Sequence, residues 1–178
     1  MRNKLIILLL LIPVLIKAQE SLPGAETCFI KLLNEYRVSK GLDSVKYNQT
    51  LYDWSANQSL YLALLNKESM LRGTIICSHD QSIDAKNINE IDRDKIPFKY
   101  KNIGENAIVC PPDSITNESI ANKMLLEWIE SPEHNKNLLT KANCIGVSFY
   151  KMRTKAITKQ GLVFYTELII GVMNIGIL

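Results

Sequence analysis

Hydrophobic positions along this chain follow two different periods. Residues 25–39 place Phe29, Leu32, Leu33 and Tyr36 at i, i+3, i+4 and i+7, one helical face, and Gly41 follows as a stop. Residues 50–66 repeat the pattern with Leu51, Trp54, Tyr61, Leu62 and Leu65. A third helix, over about 117–130, aligns Ala121, Met124, Leu125 and Trp128. Ser131-Pro132-Glu133-His134 then reads as a fresh helical start that ends near Leu139. Serine can cap, proline suits the first helical position and glutamate favours the first turn. From Cys144 to Tyr150 the period falls to two, Ile145, Val147 and Phe149 alternating with Gly146, Ser148 and Tyr150. Leu162 to Val172 is a second β-rich run, separated from the first by a basic connection with Lys151, Arg153, Lys155 and Lys159. The two runs predict an antiparallel hairpin, and Asn102 to Val109 a further strand. The charged stretch 80–101 has no periodicity and reads as a long loop. Helices followed by strands point to α+β layering. The apolar end, Leu168 to Leu178, is expected to be a buried edge of the sheet.

The first eighteen residues stand apart. Arg2 and Lys4 precede an unbroken apolar stretch of twelve, Leu5 to Ile16, and Ala18 offers a small residue before Gln19. This is the layout of a secretory signal, whereas a membrane anchor needs roughly 18 or more apolar residues. The expected organisation is a signal peptide at 1–18 and a single domain at 19–178, with an extracellular destination. Loss of Arg2, Lys4 and Lys17 lowers the basic residues from 21 to 18 against 18 acids, so the formal charge goes from +3 to zero. A nucleic-acid partner loses its electrostatic basis. The apolar C-terminus is too short to span a bilayer and lacks a lipid-anchor spacer.

Four cysteines remain: Cys28, Cys77, Cys110 and Cys144. An even count in an exported chain suggests two disulfides, with three pairings possible. No CxxC spacing supports a zinc finger or a thioredoxin-like motif. Sequons begin at Asn48, Asn57 and Asn117, so the chain is an expected glycoprotein in a eukaryotic source, with Asn48 the preferred site and Asn57 inside a predicted helix.

The only imidazoles are His79 and His134. Ser78-His79-Asp80 holds the residue types of a hydrolase triad, but consecutive side chains point apart and cannot form its relay. His134 falls at the third position of the predicted helix, where the dipole disfavours the imidazolium and leaves a ring able to accept a proton or a metal. Gly104-Glu105-Asn106 enters an apolar run; its glycine allows close backbone approach, and a buried glutamate there requires a partner.

Taken in order, Gly104-Glu105-Asn106-Ala107, Trp128 to Leu139 and Ile145-Gly146-Val147 resemble the CAP superfamily. It includes cysteine-rich secretory proteins, insect venom antigen 5 and plant pathogenesis-related proteins, and the match is closest to its simpler branch with an SPxH motif. Leu33 to Arg37 resembles the family's first helix, and Val45 to Leu51 the entry to its second, with Tyr47 in place of a tryptophan. The resemblance covers about Cys28 to Val172. It implies a three-layer α-β-α sandwich with a central antiparallel sheet, and a cleft lined by two histidines and two acidic residues. His79, Glu105 and His134 match three of the four. The fourth falls at Ser131, and the nearby Glu127 and Glu130 do not match the position. By the same resemblance Cys77 pairs with Cys144, leaving Cys28 with Cys110.

The resemblance implies a secreted, monomeric protein that binds a sterol, a fatty acid or an extracellular protein, without an accepted catalytic activity. The rival expectation is a hydrolase assisted by a divalent metal, zinc for example, held by His79, His134 and Glu105.

Overall fold

The computed structural model describes residues 19–79, 101–158 and 160–178, with side chains of 101–103 left aside. The signal-like segment 1–18 and most of the expected loop 80–101 lie outside the described residues. Pro23 opens α1 (Pro23–Ser39), which buries Ala25, Glu26, Phe29, Leu33 and Arg37 on one stripe. The chain leaves it through Gly41, whose φ of +77° favours glycine. Asn48 caps α2 (Gln49–Ser69) by accepting the Leu51 amide, and Thr116 caps α3 (Asn117–Glu130) by accepting that of Ser119. α4 (Pro132–Leu138) starts where the sequence places it, but the Ser131 side chain makes no capping bond.

Among the described residues five strands form one sheet: β1 (Gln19–Ser21), β2 (Lys46–Tyr47), β3 (Lys101–Cys110), β4 (Cys144–Ile157) and β5 (Val163–Ile177). The order is β1-β4-β5-β3, antiparallel throughout, and β2 adds a short parallel pairing to β4. Two expectations need correction. The basic stretch Lys151 to Lys155 lies within β4 rather than between strands, because the hairpin is tighter than its polarity suggests. The apolar C-terminus is the central strand, not an edge: β5 pairs with β3 on one side and β4 on the other. Its continuous apolar run suits a strand covered on both faces.

The two faces of β5 define the layers. Ile169, Met173 and Ile175 join Phe29, Leu33, Met124, Trp128 and Phe149 beneath α1 and α3. Leu168, Ile170 and Val172 join Leu62, Ala63 and Met70 beneath α2. Phe29 sets its edge against both Trp128 (5.2 Å) and Phe149 (5.5 Å), locking α1, α3 and the sheet together. The architecture is the expected α+β, α-β-α sandwich. No helix among the described residues is long and apolar enough to cross a membrane.

Candidate functional site

The buried stripe of α2 carries Ser55, Gln58, Ser59 and Asn66 among its apolar residues, and these polar groups do the positioning. Ser55 donates to the Gly146 carbonyl (2.9 Å) and Ser59 to that of Ser148 (3.2 Å), fixing the helix on β4. Gly146 makes this approach possible: a Cβ there would lie 1.9 Å from the Tyr52 nitrogen and 2.1 Å from the Leu51 carbonyl carbon. Farther along, Asn66 donates to the Ile76 carbonyl (2.7 Å) and accepts its amide (2.9 Å), while Gln58 donates to the Ser78 carbonyl (2.9 Å). The segment ending at His79 is thus held from α2.

His79 meets Glu105 of β3, Nδ1 to Oε1 at 2.9 Å. The imidazole is half exposed, at 53%, over a carboxylate exposed only 14%. His134 comes from α4, its ring centroid 6.5 Å from that of His79. α4 is held against β3 by two asparagines. Buried Asn106 donates to the His134 carbonyl (3.0 Å), and Asn137 donates to the Glu105 carbonyl (3.1 Å) and to Asn106 Oδ1 (2.8 Å). Gly104 leaves the room: a Cβ there would fall 2.7 Å from Asn137 Oδ1. From α1, Tyr36 donates to Asn135 Oδ1 (3.0 Å), and buried Arg37 donates to the carbonyls of Leu138 (2.6 Å) and Thr140 (3.0 Å) at the end of α4. The chain motifs around Glu105 and His134 are therefore one bonded unit. Asn106, Asn137, Gln58 and Asn66 had no assigned role in the sequence, though the first two stand inside the quoted motifs.

Burial of the His134 ring, followed by the nearby His79, lowers its pKa from the ordinary 6.5. The ring is neutral, as its helical position suggests, but desolvation rather than the helix dipole is the leading cause. A proton NMR titration should place the His134 midpoint below 6.5, and His79→Gln should move it back toward that value, since the neighbouring charge is removed.

A divalent ion would need these donors on one point. Among the described residues no group of three His, Cys, Asp or Glu side chains could hold a metal ion. His79 Nδ1 is engaged by Glu105, which leaves Nε2 as the ring nitrogen that could act as a donor. Ser131, at the fourth position, brings no carboxylate, and Glu127 faces Lys123 (3.8 Å) on the exposed side of α3.

The cysteines are unbonded. Cys77 lies near the Val109 amide and near Cys110 at the end of β3. Cys144 opens β4 opposite Gly176, whereas Cys110 sits opposite Ile169. Those rows are roughly 23 Å apart along β5, beyond the reach of a disulfide. The structure thus brings Cys77 to Cys110 and not to Cys144, and it leaves Cys28 and Cys110 unbonded against the same core. Of the sequons, Asn48 serves as the α2 cap, Asn57 donates to the Asp53 carbonyl (2.8 Å) within α2, and the Asn117 amide lies against Gly24.

The three-layer sandwich brings a His–Glu pair and a second histidine together from the segment after α2, β3 and α4. The chain belongs to the CAP family, the cysteine-rich secretory protein family, whose model matches residues 30–165. Among solved structures it is similar to an outer surface protein of Borrelia burgdorferi, with 15% identity and a TM-score of 0.53 over 89% of this chain and 96% of that one. It is also similar to an extracellular SCP-domain protein of Bacillus anthracis, at 17% identity and TM-score 0.46, covering 88% of this chain and 41% of the other. A cysteine-rich secretory protein of Staphylococcus aureus shares 21% identity at TM-score 0.42, covering 84% of this chain and 38% of the other. No curated protein matches. The Borrelia likeness shows the shared fold.

Proposed function

We propose that this chain is exported through residues 1–18 and that residues 19–178 act as a monomeric extracellular CAP domain by binding a sterol, a fatty acid or a protein partner rather than by turnover. The observation that carries this reading is the way the cleft uses its polar groups. His79 is spent on Glu105, Asn106 on the His134 carbonyl, and Asn137 on Glu105 and Asn106. These bonds hold a shaped surface in place, which is what recognition requires. A relative in fold described as an outer surface protein supports export.

The test is titration of the exported form with sterols and fatty acids. Saturable binding of one of them, weakened by combined His79→Ala and His134→Ala substitution, is the expected outcome. Absence of saturable binding for both removes the lipid part of the proposal. The metal-assisted hydrolase would bind its ion through His79 Nε2 and His134, with Glu105 orienting the His79 ring. Stoichiometric zinc uptake, lost in the same double variant, would favour it.

A further inference from the structure

The far end of the β4–β5 hairpin is built unlike the rest of the surface. β1 leaves β4 after Met152, and β3 leaves β5 after Ile169, so among the described residues rows 153–157 and 163–168 continue as two strands alone. One face of this ribbon, with Thr154 and Ala156, is buried. Among the described residues nothing covers the other face. It carries Arg153 and Lys155, with Glu167 paired opposite Arg153, Tyr165 opposite Lys155 and Val163 opposite Ile157. At the tip, Leu162, Val163, Phe164 and Tyr165 are four consecutive large apolar residues exposed by 68%, 61%, 46% and 61%. Arg153 and Lys155 lie over the Tyr165 ring at 5.1 and 5.9 Å. From Lys151 to Glu167 the sequence holds four cations and one acid, with Lys151 also paired to Glu20 (3.4 Å), in a chain whose charge without residues 1–18 is zero.

We infer that this hairpin tip is a docking site for an anionic lipid bilayer surface. An apolar tip enters the headgroup boundary, and cations on the same face meet the lipid phosphates with their stems beside an aromatic ring. Charge decides between occupants. A second copy docking face to face would bring two faces of net positive charge together, whereas an anionic surface complements them. The tip is not part of the cleft: Phe164 stands ten residues along β5 from Asn174, which pairs with Glu105, or roughly 33 Å. The inference therefore does not depend on what the cleft binds.

The test is cosedimentation of the exported form with phosphatidylcholine vesicles, with and without phosphatidylglycerol. Binding should require phosphatidylglycerol and fall with added salt. Arg153→Gln with Lys155→Gln should weaken it roughly twenty- to thirtyfold, and Leu162→Ser with Val163→Ser should abolish it. All four positions are exposed or at the tip, and an unchanged thermal melt confirms that the variants fold. In a Tyr165→Trp variant the emission should shift to the blue on binding. Three results would overturn the inference: no binding to either vesicle, binding insensitive to both double variants, or a dimer in sedimentation equilibrium that the tip variants dissolve. Sterol or fatty-acid titration of the tip variants reads the cleft separately and should be unchanged.

Discussion

Gly146→Ala should lower the melting temperature by roughly 10 °C or more, the consequence of a destabilisation of about 3 kcal/mol or above in a domain of this size. The reason is what the added methyl would meet. The nearest atoms are the Tyr52 nitrogen at 1.9 Å, the Leu51 carbonyl carbon at 2.1 Å and its oxygen at 2.5 Å. No rotamer change relieves a clash with main chain, so α2 must lift from β4. That movement also strains the Ser55 and Ser59 bonds to the sheet and, through Gln58 and Asn66, the segment that carries His79. Gly104→Ala is the informative companion. There the added methyl meets the Asn137 side chain, which can rotate away at the loss of its two bonds, about 1–3 kcal/mol. A circular-dichroism melt of each variant reads the difference. A Gly146→Ala protein melting within about 2 °C of the parent would falsify the direct seating of α2 on the strand.

These two glycines also show what the sequence could and could not reveal. Helices with apolar stripes were legible: Phe29 and Leu33 in α1, and Met124, Leu125 and Trp128 in α3, are buried as their spacing implies. α2 was legible as a helix but not in its detail. Its buried stripe includes Ser55, Ser59 and Asn66, while Tyr61 and Leu65 are only half-buried. Hydrophobic periodicity cannot register a face that packs through hydroxyls and amides bonded to main chain. The strand runs were visible, but the order of strands was not. β5 looks like an edge in sequence because it comes last, yet antiparallel pairing to both β3 and β4 makes it central. β1 and β2, of three and two residues, are too short to carry a period.

That His79, Glu105 and His134 lie near one another was legible through the motifs. His79, Glu105 and His134 come from three distant stretches, and the resemblance named all three before any geometry. The asparagines were overlooked for a physical reason. Asn106 and Asn137 have no charge and no catalytic signature, and their bonds to main chain become visible only when β3 and α4 are side by side. The Cys77–Cys144 pairing failed on a similar point. Nothing local in the sequence tells which end of an eight-row pairing a loop will meet, and the Val109 amide places Cys77 at the Cys110 end.

Glu26 should make the protein lose stability as the pH rises through the weakly acidic range. It lies on α1, 6% exposed, and accepts the Phe149 amide at 2.9 Å just past the end of β1. Burial pushes its carboxyl up from 4.5 to about 7, and the bond from the Phe149 amide only partly opposes the shift. Below 4.5 both folded and unfolded chains hold the proton, and the group contributes no pH dependence. Between 4.5 and about 7 the unfolded chain ionises while the folded one does not, so stability falls with rising pH. Above about 7 the loss is complete, on the order of 3 kcal/mol for a shift of this size, or roughly 10 °C in melting temperature. His134 acts in the opposite sense: its lowered pKa costs stability as the pH falls below 6.5. The tyrosines beside Glu26, Tyr47 and Tyr52, have raised pKa values and stay neutral across the window. Glu26→Gln separates the contributions. The amide keeps an acceptor for Phe149 and never ionises, so the variant should match the parent near pH 4.5 and exceed it above pH 7. The His134 contribution is common to both proteins and cancels in the difference. Thermal melts of the pair across this range decide the matter, and parallel curves would mean that Glu26 is already ionised in the fold.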